Sequence, residues 1–379
     1  MVRSRYNIPA IAVAEKGSGH FQIVAKGVRK WNTQVPVQVT DEWDLSSNTK
    51  AITSTLVAIL VERGLLNWTT TIGEGLPDLA ASYPAKVRNV AIYQLTSHRS
   101  GLDSEPYLNN SFLQSLYDPK LSPVDGRNRI VQVVLSKPQN RTVGLYKYDN
   151  INYQIVGSII DRLGSTFEDT LIKYLLTPLK LTNCGFGSPP QSSITAIDNP
   201  WAHRVNRTGT DPVPWDGPLN ERDNPPAFNP SGGLYCDAFS YARWLQLHID
   251  AAQGIHDAGK LLNLSLSAFQ FLHTPHPGNG TRYTYGGWEL YNSTADRARF
   301  GGWILAHSGA NAGSGADAIV APWFRRNGTS AVVRAAAGRL GAAWIAFSNV
   351  GDALDGKSAY GTVAQQSVIA AVVNGTLVL

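Results

Sequence analysis

Ser47 and Lys50 stand three residues apart at the head of an apolar run, Ala51-Ile52-Thr53-Ser54-Thr55-Leu56-Val57-Ala58-Ile59-Leu60-Val61, and in a helix that spacing makes their side chains neighbours. A serine hydroxyl is a weak nucleophile at its own pKa and needs an adjacent base. Lysine serves when burial or a nearby positive charge keeps its amine neutral. The pair therefore predicts covalent acyl transfer. Ser47 would sit at a helix N-terminus, where free N–H groups and the dipole favour negative charge forming on a substrate oxygen. A solvated N-cap uses the same residue types, so the surroundings have to separate the two readings.

Those surroundings are Asp41-Glu42-Trp43-Asp44-Leu45-Ser46 before the tetrad and Val61-Glu62-Arg63-Gly64-Leu65-Leu66 after the run. Together they resemble the nucleophile region of the serine β-lactamase and penicillin-binding-protein superfamily, most of all the class C branch with its esterase, D-aminopeptidase and carboxypeptidase relatives. The family's second motif, Tyr-x-Asn, occurs twice, at Tyr107-Leu108-Asn109 and Tyr148-Asp149-Asn150. Only the second leads into a helical pattern, Ile151 to Asp161, and then into Thr177-Pro178-Leu179-Lys180-Leu181, which is similar to the family's Pro-Leu-Gly-Met segment. The resemblance implies that Tyr148 shares a proton with Lys50 and Ser47, and that Asn150 orients the substrate or Lys50. The third motif, Lys-Thr-Gly or His-x-Gly, is matched by His307-Ser308-Gly309. It implies a substrate-lining strand, with His307 and Gly309 in contact with substrate and the backbone N–H of Ala310 paired with that of Ser47 as an oxyanion hole. Gln94 to Leu102, Ser231-Gly232-Gly233-Leu234 and Tyr285-Gly286-Gly287-Trp288 extend the likeness over most of the chain. Within the first of these, His98 reads as a structural residue that caps a helix.

Histidine in place of lysine in the third motif has a chemical consequence. Lysine would offer a fixed positive charge to a substrate carboxylate, whereas an unperturbed histidine is mostly neutral at pH 7. Neutral esters, amides and peptides are thus expected ahead of β-lactams, with no metal or organic cofactor. Acyl transfer to an alcohol or amine is the alternative outcome of the same chemistry. A secreted binding protein that kept the scaffold without activity is a third class.

A different function is suggested by Gly351-Asp352-Ala353-Leu354-Asp355-Gly356-Lys357-Ser358, which fits the phosphate-loop pattern. Only 21 residues follow Ser358, too few for the parallel strands of a nucleotide-binding domain, and two aspartates would lie beside the phosphates. The Gly-x-Ser-x-Gly elbow of Ser-His-Asp hydrolases does not occur.

Composition sets the frame. The chain has 379 residues, 43% of them hydrophobic, and a net charge of +5, which fits a large globular protein of one compound unit or two packed domains. Its basic residues are scattered, so nucleic acid is not an expected partner. No apolar run is long enough to span a membrane. Nine Asn-x-Ser/Thr sequons, at Asn67, Asn109, Asn140, Asn206, Asn263, Asn279, Asn292, Asn327 and Asn374, exceed chance and suggest a secreted glycoprotein. Against that, Met1 to Pro9 has no apolar signal-peptide core, and a cytoplasmic protein is the other reading. Cys184 and Cys236 are the only cysteines and have no zinc spacing. They would pair in a secreted chain and stay reduced in a cytosolic one; the sequons favour pairing.

The elements that must position these residues are α+β in class. Alternation from Ala10 to Ala25 around Lys16-Gly17-Ser18-Gly19 predicts a hairpin, and strands are expected at 318–321, 331–334 and 342–347, with a last helix from Tyr360 to Val373. The expected organisation is an antiparallel sheet with flanking helices, built from residues 1–80 and 275–379, and a mostly helical insertion over 81–274. The Pro-, Asp- and Asn-rich segment from Ser188 to Pro230 is expected either to shape the substrate site through Trp201, His203, Trp215 and Phe228 or to be anchored to the body by them.

Overall fold

The alternating N-terminal run folds as the expected hairpin, β1 (Ala10–Gly17) and β2 (His20–Gly27), with Ala10 opposite Gly27 and Gly17 opposite His20. The structure is a computed structural model, which describes residues 7–17, 20–205, 212–217, 222–278, 282–311, 313–324, 341–350 and 360–373. Its other strands are β3 (Glu42–Asp44), β4 (Cys184–Phe186), β5 (His203–Val205), β6 (Pro212–Pro214), β7 (Leu234–Asp237), β8 (Glu289–Tyr291), β9 (Ile304–Asn311), β10 (Ser314–Ala321) and β11 (Ala342–Ser348). The helices used below are α1 (Thr49–Glu62), α2 (Ile92–Thr96), α3 (Pro123–Leu135), α4 (Ile151–Asp161), α5 (Ala238–Ala252) and α6 (Tyr360–Val373).

Six strands form one sheet in the order β2-β1-β11-β10-β9-β8, and every neighbouring pair is antiparallel. Both chain ends contribute strands to it. The near-continuous apolar runs of β1 and β11 follow from burial on both faces, since alternate residues of a strand point to opposite sides. Ala10, Ala12 and Ala14 join Ala343, Ile345 and Phe347 in one core with α5 residues Tyr241, Trp244 and Leu245. Ile11 and Val13 join Trp344 and Ala346 in a second, smaller core closed by Val368, Ile369 and Val372 of α6. Although α5 lies within the expected insertion, its apolar face packs on the sheet, while His248 on it meets Phe269 and His273 of the inserted helix Leu266–His273.

The strand preceding Gly351 is β11, antiparallel to both β1 and β10, whereas a phosphate loop follows a strand of a parallel sheet. The loop itself, residues 351–358, lies outside the described residues, as do the predicted strand at 331–334 and the sequons at Asn206, Asn279, Asn327 and Asn374. Of the remaining sequons, Asn67, Asn109, Asn140 and Asn263 are exposed and Asn292 is half-buried. No helix among the described residues is long and apolar enough to cross a membrane.

Cys184 and Cys236 form a disulfide. They face each other across β4 and β7, in a small sheet that also holds β3, and β3 runs directly into the Ser47 turn. Cross-linking residues 52 apart constrains the unfolded chain, so replacing both cysteines with serine is expected to lower the unfolding free energy by about 2–4 kcal/mol. Equal urea midpoints for the variant and the wild type would show that the link adds no stability.

Candidate active site

Helix α1 is apolar nearly all round, and a helix of that pattern is buried; every residue from Thr49 to Leu60 lies inside the protein. Its hydroxyls are satisfied internally: Thr53 donates to the Pro230 carbonyl at 2.8 Å, Ser54 meets the Tyr153 hydroxyl at 3.1 Å, and Thr55 donates to the Ala51 carbonyl. A short 3-10 turn, Ser46–Asn48, precedes it. Ser47 thus stands at the helix entrance and Lys50 one turn further in.

The entrance is held rigidly. Ser46 adopts a left-handed φ of 48°, a conformation that needs support in a non-glycine residue. Asp44 supplies it by accepting from the Ser46 amide at 2.7 Å and the Ser46 hydroxyl at 3.0 Å. Asn48 donates to the Ala316 carbonyl of β10 at 2.7 Å and accepts from Tyr241 of α5 at 3.0 Å. Asn311, at the end of β9, donates to Asp44 and to Asp223. Both carboxyls are buried. Burial pushes Asp44 up to about 6, and burial together with the Asp44 charge pushes Asp223 well above the usual carboxylate range.

At the centre, Lys50 Nζ lies 2.9 Å from Ser47 Oγ, and the Tyr148 hydroxyl donates to the same oxygen at 2.8 Å. Lys50 is wholly enclosed. Its second contact is donation to the Ser231 carbonyl at 2.8 Å, an acceptor that suits either protonation state of the amine. The Nζ also lies 4.8 Å from the centre of the Tyr148 ring. Burial pulls the lysine pKa well below its usual value, with Asp149 opposing in part. Tyr148 moves the opposite way: the residue is 37% exposed, yet burial around its hydroxyl raises its pKa against the Ser47 hydrogen bond. Neutral amine and neutral phenol are therefore the favoured forms, and the lone pair available to take the serine proton is that of Lys50.

The sequence reading did not anticipate the part played by Ser231. That residue sits in the buried turn Asn229–Gly232, braced by Gln154 of α4 through the Ser231 hydroxyl at 2.7 Å and by Asn229 donation to Glu168 at 2.8 Å. Glu168 and Asp161 in turn clamp the buried Arg127 guanidinium of α3. The Ser-Gly-Gly segment is visible in the sequence, but a backbone carbonyl's role leaves no signature in residue type.

The remaining expected site residues are placed differently from the reading of their motifs. His307 is 4% exposed, and both of its nitrogens are occupied. Nδ1 donates to the Ser308 carbonyl at 2.7 Å, so Nε2 is the acceptor for the Tyr283 hydroxyl at 2.9 Å. Burial, with the Lys50 charge adding to it, takes its pKa down to about 3. It is a neutral buried wall rather than a free substrate contact. Gly309 is required by packing: a Cβ there would lie 2.5 Å from the Leu45 carbonyl oxygen and 2.9 Å from Ser46 Cβ, so the Ser47 turn itself needs glycine at this position. Ala310 is exposed next to it. Strand β8 pairs with β9 only as far as Ala306, which leaves that edge from His307 onward without a strand partner among the described residues. Asn150 lies exposed at the entrance to α4, and no hydrogen bond joins its side chain to Lys50; the Ser231 carbonyl holds the lysine instead.

In the 188–230 segment, anchoring prevails for the residues nearest the body. Trp201 is buried between Lys30 Nζ, 3.4 Å from its ring centre, and the Arg222 guanidinium at 3.7 Å. His203 joins Asn349 and Trp31 through its two ring nitrogens, Trp215 stacks under Arg204, and Phe228 packs on the core.

Over residues 3–366 the chain matches the family model described as Beta-lactamase. The chain belongs to the beta-lactamase family. Within it, the chain is 27% identical to penicillin-binding protein 4 of Amycolatopsis lactamdurans over 259 residues, which make up 66% of this chain and 61% of that protein. It is 26% identical to a beta-lactamase of Providencia stuartii over 176 residues, 46% of this chain and 41% of that one. The chain thus matches less than two thirds of the length of these curated relatives. Its fold superposes on the D-amino acid amidase of Ochrobactrum anthropi with a TM-score of 0.70 at 19% identity, covering 99% of this chain and 96% of that one. For the D-alanine carboxypeptidase AmpC of Burkholderia cenocepacia the TM-score is 0.69 at 16% identity, with the same coverage. The β-lactamase/transpeptidase-like fold, an antiparallel sheet with flanking helices, follows from the family match and these superpositions.

Proposed function

We propose that this protein is a serine hydrolase that cleaves small neutral esters or amides through an acyl-enzyme on Ser47. The observation that carries the reading is the triad of Ser47 Oγ, Lys50 Nζ and Tyr148 Oη, joined at 2.9 and 2.8 Å, with the lysine buried and desolvated toward its neutral form. Ser47 Oγ attacks the substrate carbonyl carbon while its proton passes to Lys50 Nζ. The tetrahedral oxygen forms beside the backbone N–H groups of Ser47 and Ala310. As the intermediate collapses, the bond to the leaving group breaks and the Tyr148 hydroxyl, regaining a proton from Lys50, protonates that group. Water then enters, activated by the same pair, and releases the acid. The names of relatives, an amidase, a carboxypeptidase and a beta-lactamase, support this reading.

Substrate class follows from charge. His307 is neutral down to about pH 3 and Lys50 is enclosed, so neither offers a cation to a substrate carboxylate. Short p-nitrophenyl esters are expected to be turned over faster than cephalosporins by at least about tenfold, the value of one lost charge-assisted contact. Cephalosporin turnover above ester turnover would refute this assignment, and no turnover of any ester, D-amino acid amide or β-lactam would refute the hydrolase itself.

A further inference from the structure

His98 lies beneath the site and has no part in the proton path described above. It is the last residue of the turn that closes α2: its amide donates to the Leu95 carbonyl and the Arg99 amide to the Gln94 carbonyl, a Schellman closure with His98 in the left-handed position at φ 57°. The helix-capping role read from the sequence is thus present in the backbone. The imidazole does something else. It is buried, and its ring centre lies 4.3 Å from that of Tyr148, 4.8 Å from Tyr283 and 5.5 Å from Tyr153.

The tautomer of this ring is set by its neighbours. Ser100 donates to Asn152 Oδ1, which fixes the Asn152 amide so that Nδ2 is the atom facing His98 Nδ1 at 3.0 Å. The Asp149 backbone N–H points at the same nitrogen at 3.3 Å. Two donors on Nδ1 make it the acceptor, so the ring proton resides on Nε2. That N–H is buried with no oxygen or nitrogen partner, within the shell of aromatic rings formed by Tyr148, Tyr283 and Tyr153. Burial also holds the imidazole neutral, with its pKa well below the ordinary value.

We infer that His98 is a positioning residue for Tyr148: held by Asn152 and the Asp149 amide, it supports the Tyr148 ring over Lys50 and directs an N–H dipole into the rings around it. The inference rests on the acyl-enzyme reading. When Tyr148 gives its proton to the leaving group, negative charge builds on its ring, and a nearby N–H dipole with a rigid support favours that moment. An open or apolar pocket at the same place would do neither.

The test is a double-mutant cycle on His98 and Tyr148. Asparagine tolerates the left-handed conformation, so His98→Asn keeps the turn while removing the ring; melting temperatures of the variants check the fold. Rates of Ser47 acylation by a fluorophosphonate probe and of hydrolysis of one p-nitrophenyl ester are measured for the wild type, His98→Asn, Tyr148→Phe and the double variant. His98→Asn is expected to slow acylation by about 10²-fold, the cost of misplacing a catalytic group by an ångström, with KM for the ester nearly unchanged. In the Tyr148→Phe background the same change should cost less than about threefold, because contacting residues that act as a unit are not additive. Equal losses in both backgrounds would make His98 a fold residue only and overturn the inference, as would an unchanged rate in His98→Asn. A wild type that the probe labels elsewhere than at Ser47, or not at all, would instead remove the acyl-enzyme reading, and the inference with it.

Discussion

Ser47→Ala is expected to abolish covalent labelling by fluorophosphonate or penicillin probes and to lower hydrolysis by about a million-fold, the scale of losing an activated serine nucleophile. The effect should be this large because, among the described residues, no other serine or threonine hydroxyl shares the arrangement at the triad. The neighbouring Ser46 is buried and committed to Asp44, and Ser54 faces Tyr153 inside the protein. Neither is placed to replace Ser47. Intact-mass spectrometry of probe-treated wild type and variant reads the outcome directly, and an adduct that survives Ser47→Ala would place the nucleophile elsewhere.

Lys50→Met should have two effects of opposite sign. Acylation is expected to fall by about 10²–10⁴, the usual contribution of a general base, whereas resistance to unfolding should increase at neutral pH. The second effect follows from proton linkage. In the folded protein burial lowers the Lys50 pKa, while in the unfolded chain it returns to about 10.4. Between those two values the unfolded chain holds the extra proton, so stability rises with pH and the lysine costs stability on the acidic side of that window. Methionine removes the cost. The melting temperature of Lys50→Met should therefore exceed that of the wild type at pH 7, and the gap should narrow as pH approaches 10.4. In the wild type, activity should climb with pH as the shared proton of the Ser47, Lys50 and Tyr148 cluster is lost, with an apparent pKa belonging to the cluster. A Lys50→Met protein that is less stable at pH 7, or that acylates at the wild-type rate, would contradict the neutral-base assignment.

Tyr148 differs from Lys50 in the proposed mechanism. With its phenol pKa raised by burial, it acts in that proposal as a hydrogen-bond donor to Ser47 and a carrier of the proton to the leaving group, not as a resident phenolate. The disulfide and the Asp44 brace both act on the same segment from behind: β3 leads into Ser46, Cys236 faces Trp43 across the β3–β7 ladder, and Asn311 connects Asp44 to the end of β9. The Ser47 turn and strand β9 are thereby tied to a single support.

The sequence by itself singled out the three side chains that meet at the site, Ser47, Lys50 and Tyr148, and determined both strands of the N-terminal hairpin, β11 and the closing helix Tyr360–Val373. All of these rest on local spacing or on periodicity, which a chain displays without reference to its folded neighbours. It also put the two cysteines forward as a pair, though only the register of β4 against β7 brings them face to face. What tertiary structure decided is the chemistry of each group once desolvated. Lys50 is shifted toward its neutral form because α1 is buried all round, and the carbonyl that holds it comes from residue 231, far along the chain. His307 turns from a substrate contact into a neutral wall because Tyr283 and the Ser308 carbonyl take both its nitrogens. Gly309 answers to the approach of Leu45 and Ser46, and His98 to the rings packed around it. Burial, tautomer and the identity of a hydrogen-bond partner are properties of contacts between distant segments, so residue type and spacing can nominate these side chains but only the packed fold assigns them their work.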